Sequence, residues 1–279
     1  MKKILFIMNG LQMPFHATDF ACYMASLSGA KLVGVFLENL RYGEKPELQQ
    51  VMGVPYVETI VASDIPGYAK DNERVENNIR IFEKICEQKN VRSAVYRDRT
   101  VSVDELLGES RFADMIIVDP ATGFNGKTEE IPTPFVRELL SRAECPVLIA
   151  AAGVDPIEEI VFCYDGGASA FFAMKQLVSL FPSLDEVKAT IVEVSKNSTI
   201  SPQEKKRLKE WLSGHYNYSD FVLLQGNAKD ELFNFLLRKK NILLVMGAYG
   251  RNAVSRFFRQ SQADLFINNL PFPVFITHC

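Results

Sequence analysis

Residues 2–10 read KKILFIMNG, and residues 158–166 read EEIVFCYDG. In both stretches, charged residues precede a run of apolar, β-branched and aromatic residues that ends in Asn-Gly or Asp-Gly. Such a run, bounded by a turn signal, is typical of a strand that is buried on both faces of a parallel sheet. The second copy begins only past the middle of the chain, and a period this long predicts two tandem domains rather than an array of short repeats.

The two copies also end alike. ADMIIV at 113–118 leads to CPVLIA at 145–150, and NILLVM at 241–246 leads to FPVFIT at 272–277. We therefore predict a first domain at residues 1–152 and a second at 156–279. The endings lie closer together in the sequence than the beginnings do, so the second copy is shorter, and most of the difference lies at residues 38–70.

Short β-branched runs alternate with amphipathic stretches of helical length, which predicts an α/β fold with helices on both faces of a parallel sheet. The predicted strands are 2–8, 31–37, 91–97, 113–118, 146–151, 159–164, 187–194, 220–225, 242–246 and 273–278. The predicted helices are 16–28, 72–89, 103–109, 134–143, 168–180, 202–213, 229–238 and 260–269.

The composition excludes several classes of function. The net charge of −3 provides no basic surface for nucleic acid, so we expect no DNA or RNA partner. There is no signal-peptide core and no run of 18 apolar residues, so we expect a cytoplasmic protein without a membrane partner. The five cysteines are scattered and form no C-x-x-C pair, which predicts reduced thiols and neither a zinc site nor a disulfide framework.

A glycine-rich turn follows the fourth predicted strand of the second half. It contains Gly247 and Gly250, and Ser261 follows at the predicted start of a helix. Glycines at the carboxyl end of a parallel strand let backbone N–H groups approach a phosphate, and a helix N-terminus adds partial positive charge. An ordinary tight turn between a strand and a helix is the alternative. Three cationic residues in the connecting segment could add contacts to a polyphosphate: Arg251, Arg256 and Arg259.

The order of these motifs resembles that of the universal stress proteins: a strand, a glycine turn, a spacer, a hydroxyl residue, a helix, Pro-Val and a terminal strand. Both halves share the resemblance. Nucleotide-binding members of that family carry G-x-x-G, nine residues, then Gly followed by Ser or Thr. Gly247, Gly250 and Ser261 match this pattern, whereas Gln260 replaces the last glycine. The side chain of Gln260 either fills the space through which the phosphates approach or hydrogen-bonds the ribose or a phosphate.

The resemblance implies an adenine nucleotide, ATP or AMP, in the second half, with magnesium arriving only on the nucleotide. Asp165 falls on the aspartate that holds adenine, Cys163 and Val194 fall on apolar adenine-lining positions, and Met246 precedes the first glycine. The candidate nucleotide-binding residues are therefore Cys163, Asp165, Val194, Met246, Gly247, Gly250, Gln260 and Ser261.

The first half departs from the nucleotide-binding pattern. Asn9 replaces the aspartate, and Asp119 opens the segment that stands in place of the glycine turn, where its carboxylate would repel phosphate. Thr133 and Pro134 occupy the place of Gln260 and Ser261 and are typical of an N-cap and a first helical residue. We expect this half not to bind nucleotide.

The resemblance also implies two doubly wound domains, each a five-stranded parallel sheet in the order 3-2-1-4-5. It implies that strands 146–151 and 273–278 pair across a pseudo-two-fold axis, and it leaves a further homodimer open. Asp165 and Gly247 would then converge where the strand order reverses. Residues 38–70, with an apolar centre at 51–57, either pack on the chain's own surface or cover a ligand or a partner.

Other chemical motifs are weaker. Residues 121–128 (ATGFNGKT) match a relaxed P-loop, but Pro132 and Pro134 fall where its helix would propagate. Ser169 lacks the second glycine of a nucleophile elbow and is better explained as a residue that opens a helix. No cluster of metal ligands or catalytic residues is evident. We expect a stress-response protein with a regulatory nucleotide; the alternatives are a scaffold that binds no nucleotide and a weak ATPase.

Overall fold

The structure is a computed structural model of the chain. It describes residues 2–38, 49–51, 54–56, 67–97, 102–123, 130–150, 153, 156–194, 200–247 and 260–277.

Seven strands and four helices lie in the first half of the chain, as far as the structure describes it. In chain order they are β1 (Lys3–Asn9), α1 (Phe15–Ser28), β2 (Lys31–Leu37), β3 (Gln49–Val51), β4 (Val54–Tyr56), α2 (Tyr68–Gln88), β5 (Ser93–Tyr96), α3 (Val103–Ser110), β6 (Met115–Val118), α4 (Pro134–Arg142) and β7 (Val147–Ile149).

The second half follows the same plan without the extra strand pair. Its elements are β8 (Glu159–Tyr164), α5 (Ala168–Leu180), a 3-10 turn (Pro182–Leu184), β9 (Lys188–Val194), α6 (Pro202–Ser213), β10 (Ser219–Leu224), α7 (Ala228–Leu236), β11 (Ile242–Gly247), α8 (Gln260–Asn269) and β12 (Val274–Thr277). Among the described residues, no helix is long and apolar enough to cross a membrane.

Ten of the strands form one continuous sheet in the order β10-β9-β8-β11-β12-β7-β6-β1-β2-β5. When the five strands that each half contributes to this sheet are numbered in chain order, they lie in the order 3-2-1-4-5. All pairings among those five strands are parallel, which confirms the predicted strand order. The domain boundaries at 152 and 156 stay a prediction, since residues 151, 152, 154 and 155 lie outside the described part.

The two halves join through their last strands. β7 and β12 pair antiparallel, with Val147 opposite Ile276, Leu148 opposite Phe275 and Ile149 opposite Val274. This confirms the predicted meeting of the terminal strands. Because the pairing is antiparallel, the carboxyl ends of the strands in one half point opposite to those in the other half.

Each face of the sheet carries a hydrophobic core that runs through both halves. One core contains Phe6, Phe162 and Phe275 and is covered by α1, α2, α5 and α6. The other contains Ile116, Val161 and Phe266 and is covered by α3, α4, α7 and α8. Successive residues of β6 and β8 alternate between the two cores, as the two-residue period of a strand requires.

The segment at residues 38–70 contains a feature that the sequence analysis did not predict. β3 and β4 pair antiparallel as a short hairpin, with Val51 opposite Val54. Arg97, just after β5, holds the two ends of this segment together. Its guanidinium donates to Glu38 (2.5 Å) and Asn72 (2.8 Å) and contacts Glu76. The other residues between 38 and 67 lie outside the described part.

Two contacts between the halves join equivalent positions. The Ser183 hydroxyl donates to the Leu27 carbonyl oxygen at 2.9 Å, and Ser183 stands 156 residues after Leu27. Arg137 Nε donates to Asp264 Oδ2 at 3.0 Å, and Asp264 stands 127 residues after Arg137. In a dimer of identical chains, equivalent positions carry the same residue. Here they carry opposite charges, so this contact is specific to the fused chain.

Reversing the charge of Asp264 is expected to destabilise the contact between α4 and α8. Asp264→Arg places two guanidinium groups together, and we expect it to lower the free energy of unfolding by about 1 kcal/mol, because the pair is partly solvated. The double variant Arg137→Asp with Asp264→Arg should recover most of that loss. Urea unfolding of the two single variants and the double variant measures the coupling. Purely additive losses would contradict the assignment.

Candidate functional site

The carboxyl ends of β8 and β11 form the point at which the strand order of the second half reverses. β8 pairs with β9 on one side and with β11 on the other, and the chains leaving β8 and β11 pass to different helices. Open parallel sheets bind ligands at such crevices. Asp165 follows β8 directly and Gly247 ends β11, so the structure places these two predicted residues at the same edge.

Asp165 builds the turn between β8 and α5. It is 8% exposed, and its Oδ1 accepts a hydrogen bond from the Gly167 N–H at 2.8 Å. Gly166 has φ +77°, a conformation that favours glycine. In the first half, Asn9 Oδ1 accepts from the Leu11 N–H at the same distance. The turn therefore needs a side-chain oxygen but not a negative charge, since Asn9 makes it without one.

An apolar wall adjoins Asp165 on one face of the sheet. Cys163, Val194 and Met246 are at most 5% exposed and belong to the same hydrophobic core. Burial raises the pKa of the Cys163 thiol, and the nearby Asp165 carboxylate raises it further. Cys163 is therefore uncharged, and the three predicted wall residues form an uncharged, buried part of the core beside Asp165.

Gly247 has a packing role that the sequence analysis missed. A Cβ atom at this position would lie 2.3 Å from the carbonyl carbon and oxygen of Ser169, in the first turn of α5. Only glycine lets α5 approach the end of β11 this closely. The first glycine of the predicted phosphate loop is thus required by the fold whether or not a ligand binds.

The structure describes the predicted phosphate loop only in part, because residues 248–259 lie outside the described residues. α8 begins at Gln260, with Ser261 as its second residue, so Ser261 lies at a helix start as predicted. Gly250, Arg251, Arg256 and Arg259 lie outside the described residues, and so do the side chains of Gln260 and Ser261.

The opposite face of the same edge is acidic. The Tyr164 hydroxyl donates to Glu204 Oε1 at 2.7 Å, and Glu193, which is 1% exposed, lies opposite Tyr164 in the β8–β9 register. Burial raises the pKa of Tyr164, and the carboxylates of Glu204, Asp165 and Glu193 raise it further. The sequence analysis did not select these residues. The sequence signal that could have indicated them is a tyrosine or a glutamate inside an otherwise apolar strand.

The corresponding edge of the first half is occupied by its own chain. The Thr133 hydroxyl donates to the Thr122 carbonyl oxygen and accepts from the Val136 N–H at 3.2 Å, with Pro134 as the first residue of α4. This confirms Thr133 as an N-cap. Asp119 lies in the preceding turn, where burial raises the pKa of its carboxyl and a hydrogen bond from the Ala121 N–H opposes that effect.

The other motifs do not gather into sites. α4 begins at Pro134 and not at Lys127, as a P-loop would require, although residues 124–129 lie outside the described part. Ser169 is the second residue of α5, as predicted for a residue that opens a helix. Among the described residues, no group of three or more His, Cys, Asp or Glu side chains is placed to hold a metal ion.

Comparison with solved structures relates the whole chain to one fold. A universal stress protein from Archaeoglobus fulgidus DSM 4304 has a TM-score of 0.67 at 15% identity, covering 99% of this chain and 98% of that one. A protein of unknown function from Pseudomonas aeruginosa PAO1 has 0.59 at 13%, covering 99% and 92%. The cytoplasmic domain of a prokaryotic cation chloride cotransporter has 0.51 at 10%, covering 99% and 94%.

No family model matches the sequence, and no curated protein matches it. The structural similarities show that the chain has the universal stress protein fold. At this level of identity they establish the fold alone, and function has to be argued from the site.

Gly247→Ala is expected to destabilise the protein even without ligand. The added methyl group overlaps the backbone of α5, so we expect a loss of about 1–3 kcal/mol in the free energy of unfolding. Gly108→Ala is the matched control, because a Cβ at this position in α3 meets no atom within 4 Å. That variant should gain about 0.5–1 kcal/mol. Equal effects of the two substitutions in urea unfolding would contradict the packing role of Gly247.

Proposed function

We propose that the chain is a member of the universal stress protein family and that its second half binds an adenine nucleotide, ATP or AMP, as a regulatory ligand. The observation that carries the proposal is the pair of equivalent turns at Asn9 and Asp165. Both make the same backbone hydrogen bond, so the carboxylate of Asp165 is not needed to build the turn. It lies beside an uncharged wall at the sheet edge where such folds bind ligands.

The chemistry of this edge fits an adenine ring. The ring is flat and apolar on its faces, and its exocyclic amino group is a hydrogen-bond donor. Cys163, Val194 and Met246 would pack against the ring, and the Asp165 carboxylate would accept from the amino group, which is a charge-assisted hydrogen bond. Ligand sites commonly combine a largely apolar lining with a few placed polar groups in this way.

The phosphates would lie toward the end of β11 and the start of α8. Gly247 ends β11 at this point, and the N-terminus of α8 adds partial positive charge. The acidic residues Glu193 and Glu204 lie on the α5–α6 side of the sheet, away from this path. Magnesium, where present, would arrive on the phosphate oxygens.

The alternative is a scaffold that binds no nucleotide. Two observations favour it: Gly247 is required by packing, and Arg97 fixes both ends of the 38–70 segment, as a segment that engages a partner would need. The fold itself does not decide between the two, since it also serves as the cytoplasmic domain of a cotransporter. A weak ATPase is the third alternative, and none of the described residues is placed as its water-activating base.

Calorimetric titration with ATP and AMP, with and without magnesium, tests the proposal. Asp165→Asn keeps the turn, as Asn9 shows, but removes the charge, and we expect it to weaken binding about tenfold, or about 1.4 kcal/mol. Asp165→Ala removes both and should weaken binding further. The matched control is Asn9→Ala, which changes the equivalent turn of the first half and should leave the affinity for nucleotide unchanged.

Absence of heat with both nucleotides, together with no retained nucleotide in the purified protein, would favour the scaffold. An equal loss of affinity in Asn9→Ala and Asp165→Ala would show that the nucleotide does not bind specifically at the carboxyl end of β8. Release of phosphate at saturating ATP would support the weak ATPase instead.

A further inference from the structure

Two buried thiols face each other between α1 and α2. The Sγ atoms of Cys22 and Cys86 are 3.8 Å apart, and the two residues are 1% and 0% exposed. Both residues belong to the core that covers this face of the sheet. They are distant in the sequence and fit no recognisable motif, so only the packing of the two helices reveals the pair.

The pair lies about one turn along α1 and α2 from a partly exposed ion pair. Asp19 precedes Cys22 by three residues, Lys89 follows Cys86 by three, and their side chains form an ion pair at 2.9 Å. Both charged side chains are about two-fifths exposed to solvent (38% and 41%). The charges of Asp19 and Lys89 act on the Cys22 thiol, so this partly solvated ion pair lies close to the sulphur atoms.

The two thiols differ in chemical character. The two Sγ atoms share a hydrogen bond in which either can be the donor. This hydrogen bond lowers the pKa of Cys86 against the opposing effect of burial, and a hydrogen bond with Ser93 lowers it further. The same hydrogen bond, together with burial, raises the pKa of Cys22. Cys86 is therefore the more acidic thiol of the pair, and we assign it as the sulphur that attacks first.

We propose that Cys22 and Cys86 form a reversible disulfide in the folded protein when a small hydroperoxide reaches them. The Sγ atoms must approach by roughly 1.8 Å to reach the bond length of a disulfide.

The reaction has two steps. The Cys86 thiolate sulphur attacks one oxygen of the hydroperoxide, the O–O bond breaks, and Cys86 becomes a sulfenic acid while the leaving oxygen takes a proton as water or alcohol. The Cys22 sulphur then attacks the Cys86 sulphur, the S–O bond breaks, and the departing hydroxide takes the Cys22 proton as water. Two thiols lose two electrons in total and one peroxide gains them. A dithiol reductant reverses the bond by exchange.

The bond would change the first half mechanically. It closes a loop from Cys22 to Cys86 that contains β2 and the 38–70 segment, and it joins α1 to the C-terminal end of α2. The chain continues from that segment into α2, and β5 after α2 rejoins the sheet. Oxidation would thus fix α2 against α1 and hold this end of the segment more firmly.

Peptide mapping of the folded wild-type protein tests the proposal. The folded protein is treated with graded hydrogen peroxide, the peroxide is removed, and the free thiols are blocked with N-ethylmaleimide in denaturant. The protein is then digested without reduction. We expect a cross-linked peptide joining Cys22 to Cys86 as the main oxidation product, loss of two of the five thiols, and full recovery with dithiothreitol. In Cys22→Ser, Cys86 should accumulate as a sulfenic acid that dimedone labels.

Cys145→Ser is the matched control, since Cys145 lies outside the pair, and it should leave the yield of the cross-linked peptide unchanged. The proposal is overturned if Cys22 and Cys86 stay available to the blocking reagent while other cysteines are oxidised. It is equally overturned if their cross-link forms only after the protein is unfolded. Because the mapping uses wild-type protein, failure of a variant to fold would not affect the conclusion.

Discussion

The antiparallel pairing of β7 with β12 is the interaction on which the rest of the structure depends. Only three residue pairs form it, yet it joins two five-stranded parallel sheets into one sheet. It also covers an edge of each half that would otherwise present unpaired backbone groups. The core on either face then continues from one half into the other, so neither half completes its hydrophobic layers alone.

This pairing also determines where sites can lie. An antiparallel junction directs the carboxyl edges of the two parallel sheets in opposite directions, so each edge is built from its own half. The two edges can therefore diverge without disturbing each other. Asn9 and Asp165 make the same turn with different charge, and the helix after the fourth strand is capped by Thr133 in one half. At the junction itself, Arg137 and Asp264 have diverged into an ion pair.

Local sequence patterns predicted the regular elements closely. β8, α5, α6 and α8 have the predicted bounds, because continuous apolar runs and amphipathic stretches of helical length were flanked by turn residues such as Gly166. Asp165 and Gly247 also lie at one sheet edge, as the predicted strand order requires. The β3–β4 hairpin is a local pairing that was not predicted. Contacts between distant segments were not predictable: the Arg97 contacts, the Tyr164–Glu204 hydrogen bond and the close approach of Cys22 to Cys86 all depend on tertiary packing.

The measurement that tests the account most directly is a crystal structure of the wild-type protein grown with AMP at saturating concentration. The account predicts nucleotide at the carboxyl edge of β8 and β11, with the adenine ring against Cys163 and Val194 and its amino group at Asp165, and none at the edge of β1 and β6. Nucleotide at the first-half edge, or at neither edge, would contradict the claim that two halves of one fold have diverged into a binding site and a closed one.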